Sequence, residues 1–318
     1  MSAEIYIISG FLGAGKTTLI QKLLKEAFPN EKVALIENDF GEISVDAALL
    51  KSGGVEGKEI NAGGICCSLS GDFVKALKEL LDRFRPDKIV IEPSGVGKLS
   101  DIVKACSDPR IQPLAKIKRK LTVVDVKRCK QYLDNFGEFF EDQIENADVV
   151  LLSRTELFPE QVEAACRLVK GLNARSAILI KPWDRLTAAE ILDPGHTHHE
   201  HTGHCGHSCG CGHHGAHNHS CDCNHSHAAE DIFDTVTIRT NRAFSMEELK
   251  TRVSRMAHGA QGTILRAKGI VRGTNGYLNV QYIPGDLQLT NCVAHGDVFC
   301  IIGRNLNRQQ LCAFFDGE

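Results

Sequence analysis

Gly10-Phe11-Leu12-Gly13-Ala14-Gly15-Lys16-Thr17 has the residue types and spacing of a loop that cradles phosphates. Glycines let backbone N–H groups turn inward around phosphate oxygens, and the start of a following helix adds the positive end of its dipole. Lys16 would neutralise the β- and γ-phosphates and Thr17 would ligate Mg²⁺. Gly10, Gly13, Ala14, Gly15, Lys16, Thr17 and Thr18 are therefore candidate nucleotide contacts. A glycine-rich turn with a chance lysine is the alternative, but the segment follows an expected strand and opens an expected helix. Glu92, at the end of an apolar run over 88–92, would face the ligand crevice at the carboxyl edge of a sheet. It is a candidate for holding Mg²⁺ or positioning water, with a simple acidic strand cap as the competing reading. Lys16, Thr17 and Glu92 form the candidate catalytic set.

A second concentration of chemistry lies between His196 and His227, where 12 of the 14 histidines and 5 of the 13 cysteines fall within 32 residues. Apart from cysteine its one apolar side chain is Ala216, so the tract cannot build a core. Imidazole and thiolate suit zinc first, and cobalt or nickel as well. His204, Cys205, His207, Cys209, Cys211, Cys221 and Cys223 are candidate ligands. Their irregular spacing fits several overlapping, exchangeable sites better than one finger. The bland alternative is a linker that happens to be rich in histidine.

Several elements must position these groups. Apolar runs at 4–9, 33–37, 88–92, 120–126, 148–152 and 176–180 read as strands, with helical patterns such as 15–27, 70–84 and 159–171 between them. That alternation predicts a parallel sheet covered on both faces. Residues 184–194 read as a short helix and exit turn. Beyond the tract, strands near 233–240, 263–271, 276–283 and 297–303, with helices near 245–258 and 307–315, predict a small α+β domain. The expected division is 1–194, a linker at 195–230, and 231–318.

Composition narrows the class. Hydrophobic content of 42% and charged content of 24% are ordinary for a globular chain of 318 residues. A formal charge of −3 argues against a nucleic-acid or anionic-membrane partner. No apolar run reaches a membrane-spanning length and no signal peptide is evident, so the expectation is cytoplasmic. An odd cysteine count, with Cys66 beside Cys67, fits reduced thiols and metal binding better than disulfides. Cys106, Cys129, Cys166, Cys292, Cys300, Cys312 and His295 read as core packing. Arg266, Lys268 and Arg272 read as a basic strand that could face the nucleotide, a client or only solvent, with solvent the default.

Four blocks in order, Gly10–Thr18, Glu37-Asn-Asp-Phe-Gly-Glu42, Gly63-Gly-Ile-Cys-Cys-Ser68 and Ile91-Glu-Pro-Ser-Gly95, resemble the CobW-type P-loop metallochaperone GTPases. Those are relatives of the nucleotide-binding proteins that load nickel into urease and hydrogenase. The resemblance extends through the His-rich linker to Ile264-Leu-Arg-Ala-Lys-Gly-Ile270. It implies an α/β fold: a P-loop NTPase domain with a parallel-dominated sheet, a His/Cys-rich linker and a small α+β C-terminal domain. It implies GTP as substrate, Mg²⁺ as cofactor, and delivery of Zn²⁺, or Co²⁺ or Ni²⁺, to a client metalloprotein. A non-catalytic metal store, a cobalt or corrinoid maturation factor and a generic P-loop kinase or transferase are the competing functions, the last with no acceptor-substrate motif behind it; self-association stays open.

The chain departs from that family twice. The family's Cys-x-Cys-Cys has Gly64 in its first position here, leaving Cys66 and Cys67. By resemblance Glu37 and Glu42 are candidate further ligands, or else solvated or Mg²⁺-side carboxylates. The family's Asn-Lys-x-Asp is replaced by Ser153-Arg154-Thr155-Glu156. Glu156 could accept from guanine one methylene further out, and Arg154 could stack on the base; GTP is expected, with ATP or relaxed selectivity as the alternative. Metal at Cys66–Cys67 and nucleotide at the P-loop would then be coupled through the loops between Lys16 and Glu92.

Overall fold

The computed structural model describes residues 2–29, 31–37, 71–196 and 232–315. Glu42, Gly64, Cys66, Cys67 and the tract ligands from His204 to Cys223 lie outside the described residues.

Six strands, β1 (Ala3–Gly10), β2 (Val33–Glu37), β3 (Lys88–Glu92), β4 (Ala115–Asp125), β5 (Val149–Ser153) and β6 (Ala177–Leu179), form one sheet in the order β2-β3-β1-β4-β5-β6. Every pairing in it is parallel. Strands such as β1 and β5 are buried along nearly their whole length because helices cover both faces. One face carries α1 (Lys16–Glu26), whose Leu19, Ile20, Leu23 and Leu24 recur at helical spacing, and the short α6 (Ala188–Leu192). The other carries α2 (Gly71–Phe84), α3 (Leu99–Cys106), α4 (Cys129–Glu145) and α5 (Pro159–Leu172). The helix after β1 thus lies on the face opposite those after its neighbours β3 and β4. That reversal opens a crevice at the carboxyl edge, where β1 delivers the glycine-rich loop.

The second sheet is antiparallel, ordered β10-β9-β8-β11-β7. Its strands are β7 (Asp234–Arg239), β8 (Thr263–Gly273), β9 (Gly276–Ile283), β10 (Asp286–Cys292) and β11 (Val298–Arg304). Helices α7 (Met246–Gly259) and α8 (Arg308–Phe315) pack on one face over Phe244, Val253, Phe299 and Phe315. The other face presents Leu265, Cys300 and Ile302 to the first domain's core. Phe233 sits in the same cluster, its ring 5.2 Å from Phe139 and 5.7 Å from Phe136. The parallel α/β unit and the small α+β unit match the sequence expectation, with β10 as an added edge strand.

The aromatic cluster also anchors the glycine-rich loop. Phe11 is 1% exposed, and its ring centroid is 4.5 Å from Tyr132 and 5.4 Å from Phe136. Tyr132 Oη donates to Leu12 O at 3.2 Å. The two residues after the first glycine are therefore a hydrophobic plug, and the glycines beyond it stay free to turn. Phe11→Ala is expected to cost about 3–5 kcal/mol, the usual range for an aromatic removed from a packed core. Urea denaturation of the two proteins checks this, with an unchanged midpoint as the contrary result.

Candidate active site

The loop from Gly10 to Lys16 makes its turns through left-handed backbone. Gly13 has φ +70° and Gly15 has φ +109°, values that L side chains rarely adopt. Space is equally restrictive: a Cβ on Gly13 would come within 2.9 Å of Ile283 Cγ2, and one on Gly15 within 2.8 Å of Trp183 Cη2. No side chain caps the start of α1 and no acidic residue stands in its first turn. The helix dipole and its first N–H groups are thus left for an anion.

Lys16 reaches across to β3, with Nζ 3.8 Å from Glu92 Oε1; both side chains are largely buried. Thr17 is half-buried and Thr18 exposed beside them. Glu92 is the register partner of Glu37 at the end of β2. In a parallel pair such partners point to the same face of the sheet. Thr17 and Glu92 both line the cavity and offer the hard oxygen donors that Mg²⁺ takes, so the residues present fit that ion.

Lys16, Thr17, Thr18 and Glu92 line a cavity of about 590 Å³ whose far wall comes from the second sheet, through Arg266, Asn279, Gln281 and the hairpin after β9. The hairpin turns at Pro284-Gly285, with Gly285 at φ +78°. Its tip is stitched to the loop: Ile283 packs on Gly13, Pro284 O accepts from Arg128 Nη2 at 3.3 Å, and Asp286 Oδ2 lies 3.5 Å from Arg154 Nη1. Behind the loop, buried Asp125 at the end of β4 receives Arg128 at 2.8 Å and Arg154 at 3.3 Å. Arg154 itself has φ +62° and donates from Nη2 to Gly13 O at 3.3 Å. Its guanidinium is thus turned under the phosphate loop, and only its stem remains for a base.

Glu156 lines the cavity but is exposed and pairs with Arg185 Nη2 at 2.9 Å. Ser153 is buried and its hydroxyl donates to Val124 O at 3.4 Å. The basic strand departs from the solvent-facing default in part. Arg272 is exposed, yet Arg266 lines the cavity and Lys268 is 1% exposed, because β8 is an inner strand whose other face meets the first domain. Cys106, Cys129 and Cys300 are buried, and burial pushes the Cys106 thiol up to about 12. Such a thiol is inert at neutral pH. Cys166, Cys292 and Cys312 are half-buried. His295 differs: it is exposed and stacks on Tyr277, centroids 4.5 Å apart. Among the described residues no three His, Cys, Asp or Glu side chains gather as a metal site, and no helix is long and apolar enough to cross a membrane. Asp125, Arg128, Tyr132, Trp183 and Asp286 escaped the sequence reading; of these only the Pro284-Gly285-Asp286 turn left a local signal.

Residues 4–179 match the family described as CobW/HypB/UreG, nucleotide-binding domain, and residues 233–317 match the cobalamin synthesis protein cobW C-terminal domain. The chain is 35% identical over 159 residues to the zinc chaperone YeiR of Escherichia coli strain K12, covering 50% of this chain and 48% of that protein. It is 34% identical over 215 residues to the zinc chaperone CobW of a Sinorhizobium species, covering 58% of this chain and 60% of the relative. The match thus spans between about half and three-fifths of the length of these relatives. The crystal structure of Zn(II)-bound YjiA GTPase from E. coli covers 99% of this chain and 98% of its own, at 19% identity and a TM-score of 0.45.

Proposed function

The chain belongs to the CobW/HypB/UreG nucleotide-binding family, and from that premise we propose that it is a GTP-hydrolysing chaperone that carries zinc, or a similar transition metal, to a client metalloprotein. The observation that carries the coupling of the two activities is the register pairing of Glu37 with Glu92. Glu37 opens the segment that runs toward Glu42, Cys66 and Cys67, whereas Glu92 stands beside Lys16 in the nucleotide cavity. A metal held partly by Glu37 and a nucleotide held by Lys16 would bias the same pair of strand ends. In this reading residues 1–194 bind nucleotide, 195–230 collect metal and 231–318 complete the cavity wall.

Each residue has a task set by its chemistry. Lys16 exchanges its carboxylate partner for phosphate oxygens, which draws negative charge off the bridge that breaks. Thr17 and Glu92 would hold Mg²⁺, which supplies charge neutralisation at the β- and γ-phosphates. Glu156 accepts from the base, and Arg154 fixes the loop through Gly13 O. Cys66, Cys67, Glu37 and Glu42 form the inner metal site, with exchange into it from the tract.

Removal of residues 196–227 tests the division of labour. Zinc bound per chain, read by metal analysis after dialysis, is expected to fall, while GTP turnover at saturating zinc is retained. Turnover that collapses with the tract at saturating zinc would place the working metal there instead. Loss of zinc uptake with no GTP turnover in the intact chain would favour metal storage.

A further inference from the structure

Trp183 is the chain's single tryptophan, and it begins the 3₁₀ turn Trp183–Arg185 that follows β6. Its indole lies directly over Gly15 at the start of α1 and lines the nucleotide cavity. Nε1 is shielded from solvent and has no acceptor among the described residues. Buried indole N–H groups ordinarily find a partner, so a shielded donor beside a cavity signals an acceptor that a ligand brings.

Sheet order says which part of the ligand. Glu92 ends β3 on one side of β1, whereas the segments after β5 and β6 lie on the other side, beyond β4. A nucleotide with its terminal phosphates between Lys16 and Glu92 must extend its nucleoside toward β5 and β6. Glu156 and Arg185, paired at 2.9 Å, tie those two segments together at that end. We propose that Trp183 is the aromatic wall of the nucleoside subsite: its ring stacks on the base or ribose and its N–H donates to an acceptor there. The inference rests on the reading of this cavity as a nucleotide site. A π-face stacks on any base, so Trp183 supplies affinity and leaves the choice of guanine to Glu156.

The lone tryptophan makes the test direct. GTP, GDP and inorganic triphosphate are titrated into the wild-type chain, with emission and calorimetry recorded on the same samples. GTP and GDP are expected to change the emission along the calorimetric binding curve, while inorganic triphosphate binds without changing it. Trp183→Phe, which keeps an aromatic ring over Gly15 and removes the donor, is expected to raise KM for GTP about tenfold, with a far smaller change in kcat. The proposal is overturned if GTP binds while emission stays constant, if triphosphate alone changes it as much as GTP does, or if Trp183→Phe leaves KM at the wild-type value. Absence of any calorimetric GTP binding is a separate outcome, and overturns the nucleotide-site reading along with this one.

Discussion

Lys16→Ala is expected to lower GTP turnover by about 10²–10³-fold, the loss usual when one preorganised donor to developing transition-state charge is removed. The size follows from burial. Lys16 is 4% exposed and aimed at Glu92 inside the cavity, so water cannot stand in for its ammonium. The low-dielectric setting that strengthens its pull on the γ-phosphate also leaves Glu92 with less positive charge nearby once Lys16 is gone. Steady-state phosphate release at saturating GTP and Mg²⁺ measures the loss. Zinc uptake by the tract should be unchanged in the same preparation, since its candidate ligands are the tract's own histidines and cysteines. Turnover within a few-fold of wild type would mean that the loop binds phosphate without acting on it.

Cys66→Ser with Cys67→Ser removes both candidate thiolates and leaves Glu37 and Glu42 as the remaining candidate ligands of the inner site. Zinc prefers thiolate and imidazole, so the inner site should be lost while the tract keeps its ions. The expected consequence is that zinc no longer alters GTP affinity or turnover. Allosteric couplings of this kind are commonly about 5–150-fold, and they are reciprocal in the two ligands. A wild-type response of that size that vanishes in the double variant would place the coupling at Cys66 and Cys67. A response that survives would move it to Glu37 with Glu42 or to the tract.

The strands of the first sheet were legible because buried parallel strands announce themselves as apolar runs, and the phosphate loop because glycine, lysine and threonine have few substitutes in that role. Helix α4 carries much of the site's support, yet its sequence showed only aromatics at helical spacing. That Phe136 and Phe140 grip Phe11, and that Tyr132 holds Leu12 O, is a tertiary fact. Strand β10 was missed because it is an edge strand whose residues are half-buried or exposed, so its alternation is weak. Missing β10 meant missing the hairpin tip, and with it the placement of Ile283, Pro284 and Asp286 against the loop. The facing of the basic strand stayed open for a related reason: period-two alternation puts Arg266 and Lys268 on one face but cannot say that the first domain covers it. Asp125 and Arg128 pair across only three positions, but their meaning depends on Arg154 arriving from the next strand.

The central claim is that nucleotide and metal share one switch. The measurement that reaches it most directly is the dissociation constant of a non-hydrolysable GTP analogue, taken with and without saturating zinc, in the full chain and in the Cys66→Ser, Cys67→Ser variant. Both proteins keep the tract, so zinc bound there cancels in the comparison. The account predicts at least a fivefold shift in the wild type, with zinc affinity shifted by the same factor when the analogue is present, and no shift in the variant. Equal nucleotide affinity with and without zinc in the wild type would contradict it.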